Sequence, residues 1–242
     1  MTYNLNMNQS DYPRISIIIP CYNEEKTIEN VISQVELNIS QNTEIIVIDD
    51  FSSDGSVEIL KNIANSNRIR LIEKKLNEGK GSCIHMGLEQ AKGDIIIIQD
   101  ADLEYSPNDY RKLLIPFEQA NADVVYGSRF LGGGKYVRVH FFWHYLANKI
   151  LTFLCNLFTN LNMTDMETGY KVFKRSAIEK INLKEKSFGF EPEVTIKLAK
   201  KKYKFFEVPI SYNGRSYEEG KKIGLKDAFI AVFCIIKYSL IS

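Results

Sequence analysis

Between Ile15 and Asp102 the chain alternates two patterns: short unbroken apolar runs, and stretches in which apolar residues recur every three or four positions. Ile15-Ser-Ile-Ile-Ile19 stops at Pro20 and is followed by Ile28, Val31, Ile32 and Val35 at helical spacing. Ile45 to Ile48 runs into Asp49-Asp50. Ser52-Ser-Asp-Gly55 then supplies turn and cap chemistry, with Asp54 the better cap, ahead of a helical face at Val57, Leu60 and Ala64. A third run spans Ile69 to Ile72, and the helix around Ile84, Leu88 and Ala91 stops at Gly93. Ile95 to Ile98 is the fourth run, entering Gln99-Asp-Ala-Asp102, and Asp123 to Tyr126 is the fifth. Runs apolar at every position are buried on both faces, as in a parallel sheet covered by helices. The pattern therefore predicts an α/β fold with a mostly parallel central sheet flanked by helices, over about residues 13–222, without internal repeats.

A length of 242 residues suits one domain with an appendage. An apolar content of 45% against 25% charged is that of an ordinary globular chain with a substantial core. The net charge of +1 argues against a nucleic-acid partner, which would call for a large basic excess. Cys21, Cys83, Cys155 and Cys234 are widely spaced, with no CxxC pair and no Cys/His cluster, which excludes a disulfide framework or zinc site and fits a reducing compartment. Residues 1–12 are polar, lack the apolar core of a signal peptide, and read as a flexible lead-in.

The polar residues that change the picture stand where the strands end: Tyr22-Asn-Glu-Glu25, Asp49-Asp50 and Asp100-Ala-Asp102. Ligands of open parallel sheets bind beyond those carboxyl ends. Residues two apart on extended backbone share a face, so Asp100 and Asp102 can grip one hard cation, and Glu104 continues the same parity. Oxygen-only ligands select Mg²⁺ or Mn²⁺, and such an ion stabilises the charge on a departing diphosphate. Asp50, Glu24 and Glu25 are candidates for ribose or base contacts; a helix N-terminus would favour the two glutamates equally well. Gly79-Lys80-Gly81 offers close backbone approach beside a cation, without the spacing of a P-loop or a dinucleotide fingerprint.

Ile17-Ile-Ile-Pro-Cys-Tyr-Asn-Glu24, Val47-Ile-Asp-Asp-Phe-Ser-Ser-Asp-Gly55, Asn77-Glu-Gly-Lys-Gly81 and Gln99-Asp-Ala-Asp-Leu103 resemble the motifs of inverting GT-A glycosyltransferases of family two. The dolichyl-phosphate and polyprenyl-phosphate hexosyltransferases are the most similar in character. Tyr126-Gly-Ser-Arg-Phe130 and Gly214-Arg-Ser-Tyr-Glu-Glu-Gly-Lys-Lys222 extend the resemblance, which covers Ile15 to Lys222. It implies that Pro20, Tyr22, Glu24 and Asp50 hold the nucleoside, with Lys80 and Ala101 beside the donor. It further implies that Asp100, Asp102 and Glu104 hold the metal, and that Arg129 and Arg138 bind the acceptor phosphate. Arg215 and one of Lys221 or Lys222 would contact phosphate, while Asp165 and Glu167 would face the donor sugar. Glu104 departs from the mannosyl members, which commonly carry Gln there. A phosphate acceptor is already a nucleophile, whereas a hydroxyl acceptor needs a carboxylate base, for which Asp165 and Glu167 are the candidates.

Two segments point to a membrane surface. From Phe141 to Leu161 the polar residues His144, Asn148, Thr152, Asn156 and Asn160 recur every four positions, with Lys149 and Thr159 alongside, forming one narrow stripe on an otherwise apolar helix. Residues 223–242 read as a second amphipathic helix, whose uncharged stretch from Ala228 to Ile236 is far short of the roughly 18 residues of a span. Lys221, Lys222 and Lys226 precede it and suit anionic head groups. Both helices are expected to lie in an interface plane, with packing on the sheet or a homo-oligomer contact as the alternative.

The expected function is inverting transfer of a hexose from a nucleotide-sugar to a polyprenyl phosphate by a peripheral enzyme on the inner face of the membrane. GDP-mannose is the first donor to consider and UDP-glucose the next. The alternatives are transfer to a saccharide hydroxyl in cell-surface glycan synthesis and a non-catalytic nucleotide-sugar binder docked on a membrane.

Overall fold

Each of the five apolar runs becomes a strand in the computed structural model, which describes residues 14–66, 68–132, 141–215 and 225–240. The lead-in at 1–12 lies outside the described residues, as do Arg138, Lys221 and Lys222. The strands are β1 (Ile15–Cys21), β2 (Thr43–Asp49), β3 (Arg70–Glu73), β4 (Ile95–Ile98) and β5 (Val124–Ser128). Helices α1 (Ile28–Leu37), α2 (Ser56–Ala64), α3 (Lys80–Gln90) and α4 (Tyr110–Gln119) connect them. The chain continues through α5 (Phe142–Thr159), β6 (Lys171–Lys174), α6 (Arg175–Ile178), α7 (Phe190–Lys200), β7 (Phe205–Pro209) and α8 (Leu225–Leu240).

The seven strands form one sheet in the order β3-β2-β1-β4-β6-β5-β7. β6 runs antiparallel to both of its neighbours, β4 and β5, and every other pairing is parallel. Pro20 lies in a central strand, yet its missing N–H costs little: β1 pairs with β4 only as far as Ile18, so no ladder bond is due on that side. β6 and β7 carry no apolar run. β6 reads Lys-Val-Phe-Lys and β7 contains Glu207, so neither gives the periodic signal of the other strands.

Alternation along the apolar runs splits them between two cores. Ile18, Ile46, Ile48, Ile96 and Ile98 pack with Cys83 and Ile84 of α3, Cys155 of α5, Phe190 and Val194 of α7, and Cys234 and Ile235 of α8. Ile17, Ile19, Val47, Ile95 and Ile97 face the other way, onto Ile28 and Ile32 of α1, Leu60 of α2 and Leu113 of α4. All four cysteines are buried outside any disulfide, serving as small core residues.

The periodic polar stripe on α5 turns inward. Asn148 donates to Asp165 Oδ1 (3.2 Å), Thr152 Oγ1 accepts from the Met166 N–H (3.1 Å), and Asn156 exchanges hydrogen bonds with the Met163 backbone at 2.8 and 3.1 Å. The polar residues are therefore the seam that fastens α5 to residues 163–166. The apolar residues face outward: Phe142, Trp143, Phe153 and Leu157 are exposed, as are Phe229, Phe233 and Leu240 of α8. Packing on the sheet, the alternative to membrane docking, holds for one side of each helix only, through Leu151 and Cys155 of α5 and Ala231, Cys234 and Ile235 of α8. No helix among the described residues is long and apolar enough to cross a membrane.

Candidate active site

The sequence-predicted polar residues come together at the carboxyl edge of β1, β2 and β4. The turn after β1 is locked to the turn after β2. Asn23, at φ 52°, accepts the Ser53 N–H on Oδ1 (2.8 Å), the Glu24 N–H reaches Ser56 Oγ (2.8 Å), and Asp54 accepts from the backbones of Ser56 and Glu25. Phe51 also holds a left-handed backbone, at φ 64°, and is exposed beside Asp50. A bulky aromatic in that region carries backbone strain. Its position inside the Val47–Gly55 motif was the signal available in the sequence.

Asp50 is 3% exposed and its oxygens are occupied. Lys74 Nζ donates to Oδ1 at 2.5 Å, the Glu78 N–H to Oδ1 at 3.1 Å and the Gly79 N–H to Oδ2 at 2.7 Å. Its visible work is to hold the turn that opens α3. Gly79, at φ 102°, takes a backbone closed to other residues, and a side chain there would collide with the backbone of Lys186 and Ser187. The close approach that this glycine permits is thus to residues 186–187 of the chain itself.

Lys80, at the start of α3, reaches Asp100 Oδ1 at 2.7 Å and Glu191 of α7 at 3.4 Å. Burial opposes its charge, but Asp100 and Glu191 outweigh that and hold its pKa above the lysine range. Asp102 is compensated separately, by Arg215 Nη2 at 2.7 Å. Burial, then the charges of Asp100 and Glu104, push the Asp102 carboxyl up to about 7 against the pull of Arg215. Ala101 is buried between the two aspartates, and its carbonyl accepts from Thr27 Oγ1 (3.0 Å).

Asp100 and Asp102 offer hard oxygens at one strand end, each with one short contact to a cation, Lys80 and Arg215 respectively. That donor set fits Mg²⁺ or Mn²⁺. Glu104 is committed elsewhere: Oε2 accepts from the Tyr212 hydroxyl (2.7 Å) and Oε1 from the Arg215 N–H (2.8 Å). Among the described residues no three His, Cys, Asp or Glu side chains are drawn together on one metal position. The residues that would hold such an ion are therefore Asp100 and Asp102.

The segment after α5 separates two residues that the sequence left equivalent. Asp165 is fully buried and grips Arg129, Nε to Oδ2 and Nη2 to Oδ1 both at 2.7 Å, while the Arg129 N–H adds a third bond at 3.0 Å. Burial would raise its pKa, but the guanidinium more than offsets this and leaves it below the carboxylate norm. Glu167 has no such partner. Its Oε1 is buried without a hydrogen bond, and burial followed by the charge of Glu191 raises its pKa, with Lys171 opposing. Glu191 and the fully buried Lys171 carried no sequence signal, because each lies in an element with no distinctive pattern. Lys171 Nζ donates to the Met166 and Thr168 carbonyls and so pins the turn that carries Glu167.

Known proteins resemble this chain in sequence and in fold. The model of glycosyl transferase family 2 matches residues 16–182. A dolichol-phosphate mannosyltransferase from Pyrococcus furiosus is 29% identical over 214 residues, covering 87% of this chain and 60% of that protein. An undecaprenyl-phosphate mannosyltransferase from Micrococcus luteus is 27% identical over 223 residues, covering 87% and 88%. This chain thus spans less than two thirds of the first relative and most of the second. Among solved structures, the glucosyl-3-phosphoglycerate synthase of Mycobacterium tuberculosis, in complex with Mn²⁺, UDP and phosphoglyceric acid, superposes with a TM-score of 0.73. The match has 18% identity and covers 97% of this chain and 81% of that one. A mannosyltransferase from Pyrobaculum calidifontis, in complex with GDP-Man and Mn²⁺, gives 0.60 at 18% identity, over 86% and 58%. These structural likenesses establish the GT-A fold.

Proposed function

The chain belongs to glycosyltransferase family 2, and from that premise we propose that it transfers a hexose from a nucleotide-sugar to a polyprenyl phosphate at a membrane surface, with inversion at the anomeric carbon. The observation that carries the reading is the pairing of Asp100 with Lys80 and of Asp102 with Arg215 at the end of β4. It is a half-buried acidic pair in which each carboxylate has one short contact to a cation. Asp100 and Asp102 would hold Mg²⁺ or Mn²⁺, which supplies charge neutralisation to the departing nucleoside diphosphate. Lys80 would stand beside the same diphosphate. Pro20, Tyr22 and Glu24 line the end of β1, where the nucleoside would lie, with Asp50 shaping the adjoining turn.

The names of the curated relatives support a lipid-phosphate acceptor, and so does the state of Asp165. A carboxylate locked to Arg129 with a depressed pKa is a poor proton acceptor, and a phosphate nucleophile needs none. Asp165 fixes the Arg129 guanidinium through Nε and Nη2, with Tyr212 beneath it at 5.1 Å, which orients Nη1 for an anionic acceptor. The outward apolar faces of α5 and α8 support a peripheral position on a lipid surface, for which we assign the inner face of the membrane. One observation favours a second reading. Glu167, with its raised pKa, has the character of a general base for a hydroxyl acceptor.

The decisive experiment incubates the protein with Mn²⁺ or Mg²⁺, a short polyprenyl phosphate, and a panel of nucleotide-sugars led by GDP-mannose and UDP-glucose. Metal-dependent formation of a polyprenyl-phosphate sugar is the expected result. Turnover only with a saccharide hydroxyl, abolished by Glu167→Gln, would install the second reading. Nucleotide-sugar binding without turnover on any acceptor would reduce the protein to a binder.

A further inference from the structure

Arg215 sits among three carboxylates. Nη1 lies 3.2 Å from Glu24 Oε2, and Nη2 lies 3.1 Å from Glu24 Oε1 and 2.7 Å from Asp102 Oδ2; Nε is 3.6 Å from Glu104 Oε1. The backbone delivers it there under restraint. The Arg215 N–H donates to Glu104 (2.8 Å), the Asn213 N–H donates to the Glu104 carbonyl (2.9 Å), and the Tyr212 hydroxyl donates to Glu104 Oε2 (2.7 Å). The guanidinium is nonetheless incompletely served, because its Nε is buried without a hydrogen-bond acceptor. It also holds Asp102 Oδ2, an oxygen that a divalent ion at the Asp100–Asp102 pair would need. Two cations sharing that oxygen repel each other in a half-buried site.

We propose that Arg215 is an exchangeable counter-cation of this acidic set: it positions Glu24 and Asp102 by standing where the metal's charge will be, and passes to the diphosphate when metal and nucleotide arrive together. The inference rests on the metal site proposed above and adds a consequence for binding order. A divalent ion arriving alone must displace Arg215 from Asp102 Oδ2, so the half-buried guanidinium loses its shortest contact and keeps only Glu24 and the longer approach to Glu104. Arriving with a nucleoside diphosphate, it brings the acceptor oxygens that Arg215 then takes, which is a bidentate pairing that guanidinium favours. Metal and nucleotide therefore bind with positive coupling, and by linkage each strengthens the other equally. With Arg215 removed, the ion alone meets no competitor.

The test is Mn²⁺ binding to the protein without nucleotide, followed by the electron paramagnetic resonance signal of free Mn²⁺, for the native protein, Arg215→Gln, Arg215→Lys and Asp102→Asn. Arg215→Gln is expected to bind Mn²⁺ more tightly than the native protein, by a factor toward the lower end of the ~5–150-fold range of such couplings. Arg215→Lys, which keeps the charge, stays near native affinity, and Asp102→Asn binds more weakly. Adding GDP or UDP tightens Mn²⁺ binding by the native protein more than by Arg215→Gln. An Arg215→Gln protein that binds Mn²⁺ no more tightly than native overturns the exchange and leaves the metal site standing. An Asp102→Asn protein that binds Mn²⁺ like native overturns the metal site and this inference with it.

Discussion

Arg129 and Asp165 form a bidentate ion pair with both contacts at 2.7 Å, across 36 residues of sequence, with the Asp165 side chain completely buried and that of Arg129 14% exposed. The pair joins the end of β5 to the segment following α5, and Glu207 of β7 secures the same segment by accepting the Thr164 and Asp165 N–H groups. Removing one partner of such a pair strands the other. Asp165→Asn should destabilise the fold by about 3–5 kcal/mol, the usual cost of an uncompensated buried charge. Urea unfolding measures it, and a loss below ~1 kcal/mol would show that solvent compensates Arg129.

Asp102→Asn should abolish metal-dependent turnover while the far-ultraviolet circular dichroism spectrum stays native, because the side chain lies at the site and outside both cores. Full activity in this variant would remove Asp102 from the metal's ligands.

Glu167 predicts a pH dependence of stability. Burial and Glu191 raise its pKa from the ordinary 4.5 to about 8, so the folded chain keeps a proton that the unfolded chain has already released. The contribution of this proton is fully present below about 4.5 and is lost as pH rises toward about 8. Glu167→Gln should therefore flatten the fall in Tm over that interval, and parallel native and variant curves would contradict the assignment.

Gly169 lies directly behind Asp100, at the proposed metal site: a Cβ there would meet Asp100 Oδ2 and the Tyr105 ring. Gly169→Ala should lower kcat at saturating donor by about tenfold or more, because positioning errors of ångström size at a reacting centre have costs of that order. A change in Tm alone, with kcat intact, would show that Asp100 can retreat without consequence.

The outward faces of α5 and α8 predict lipid binding. Phe153→Glu combined with Phe233→Glu places charge at two exposed apolar positions and should cost little stability. Co-sedimentation with vesicles containing anionic lipid should fall several-fold, while turnover of a water-soluble short-chain acceptor persists. Unaltered sedimentation would reassign the faces to a protein partner.

The sequence by itself determined the first half of the sheet and the gathering of the acidic residues at its carboxyl edge. The runs at Ile17–Ile19, Ile45–Ile48 and Ile95–Ile98 bury both faces of a strand, so local composition suffices to place them, and the acidic residues that follow are carried to the carboxyl edge by chain connectivity alone. The sequence also delimited α5 and α8, whose apolar periodicity is strong. Tertiary structure decided which side of α5 faces the protein, because the choice depends on backbone groups at Met163 and Met166 that pair with Asn156 and Thr152, 7 and 14 residues away. It decided the environments of Asp165 and Glu167 too: two carboxylates two residues apart in sequence diverge because Arg129 reaches only the first. β6, β7, Lys171 and Glu191 lay beyond the sequence for the same physical reason. Their stability comes from partners distant in the chain, and periodicity reports only on neighbours.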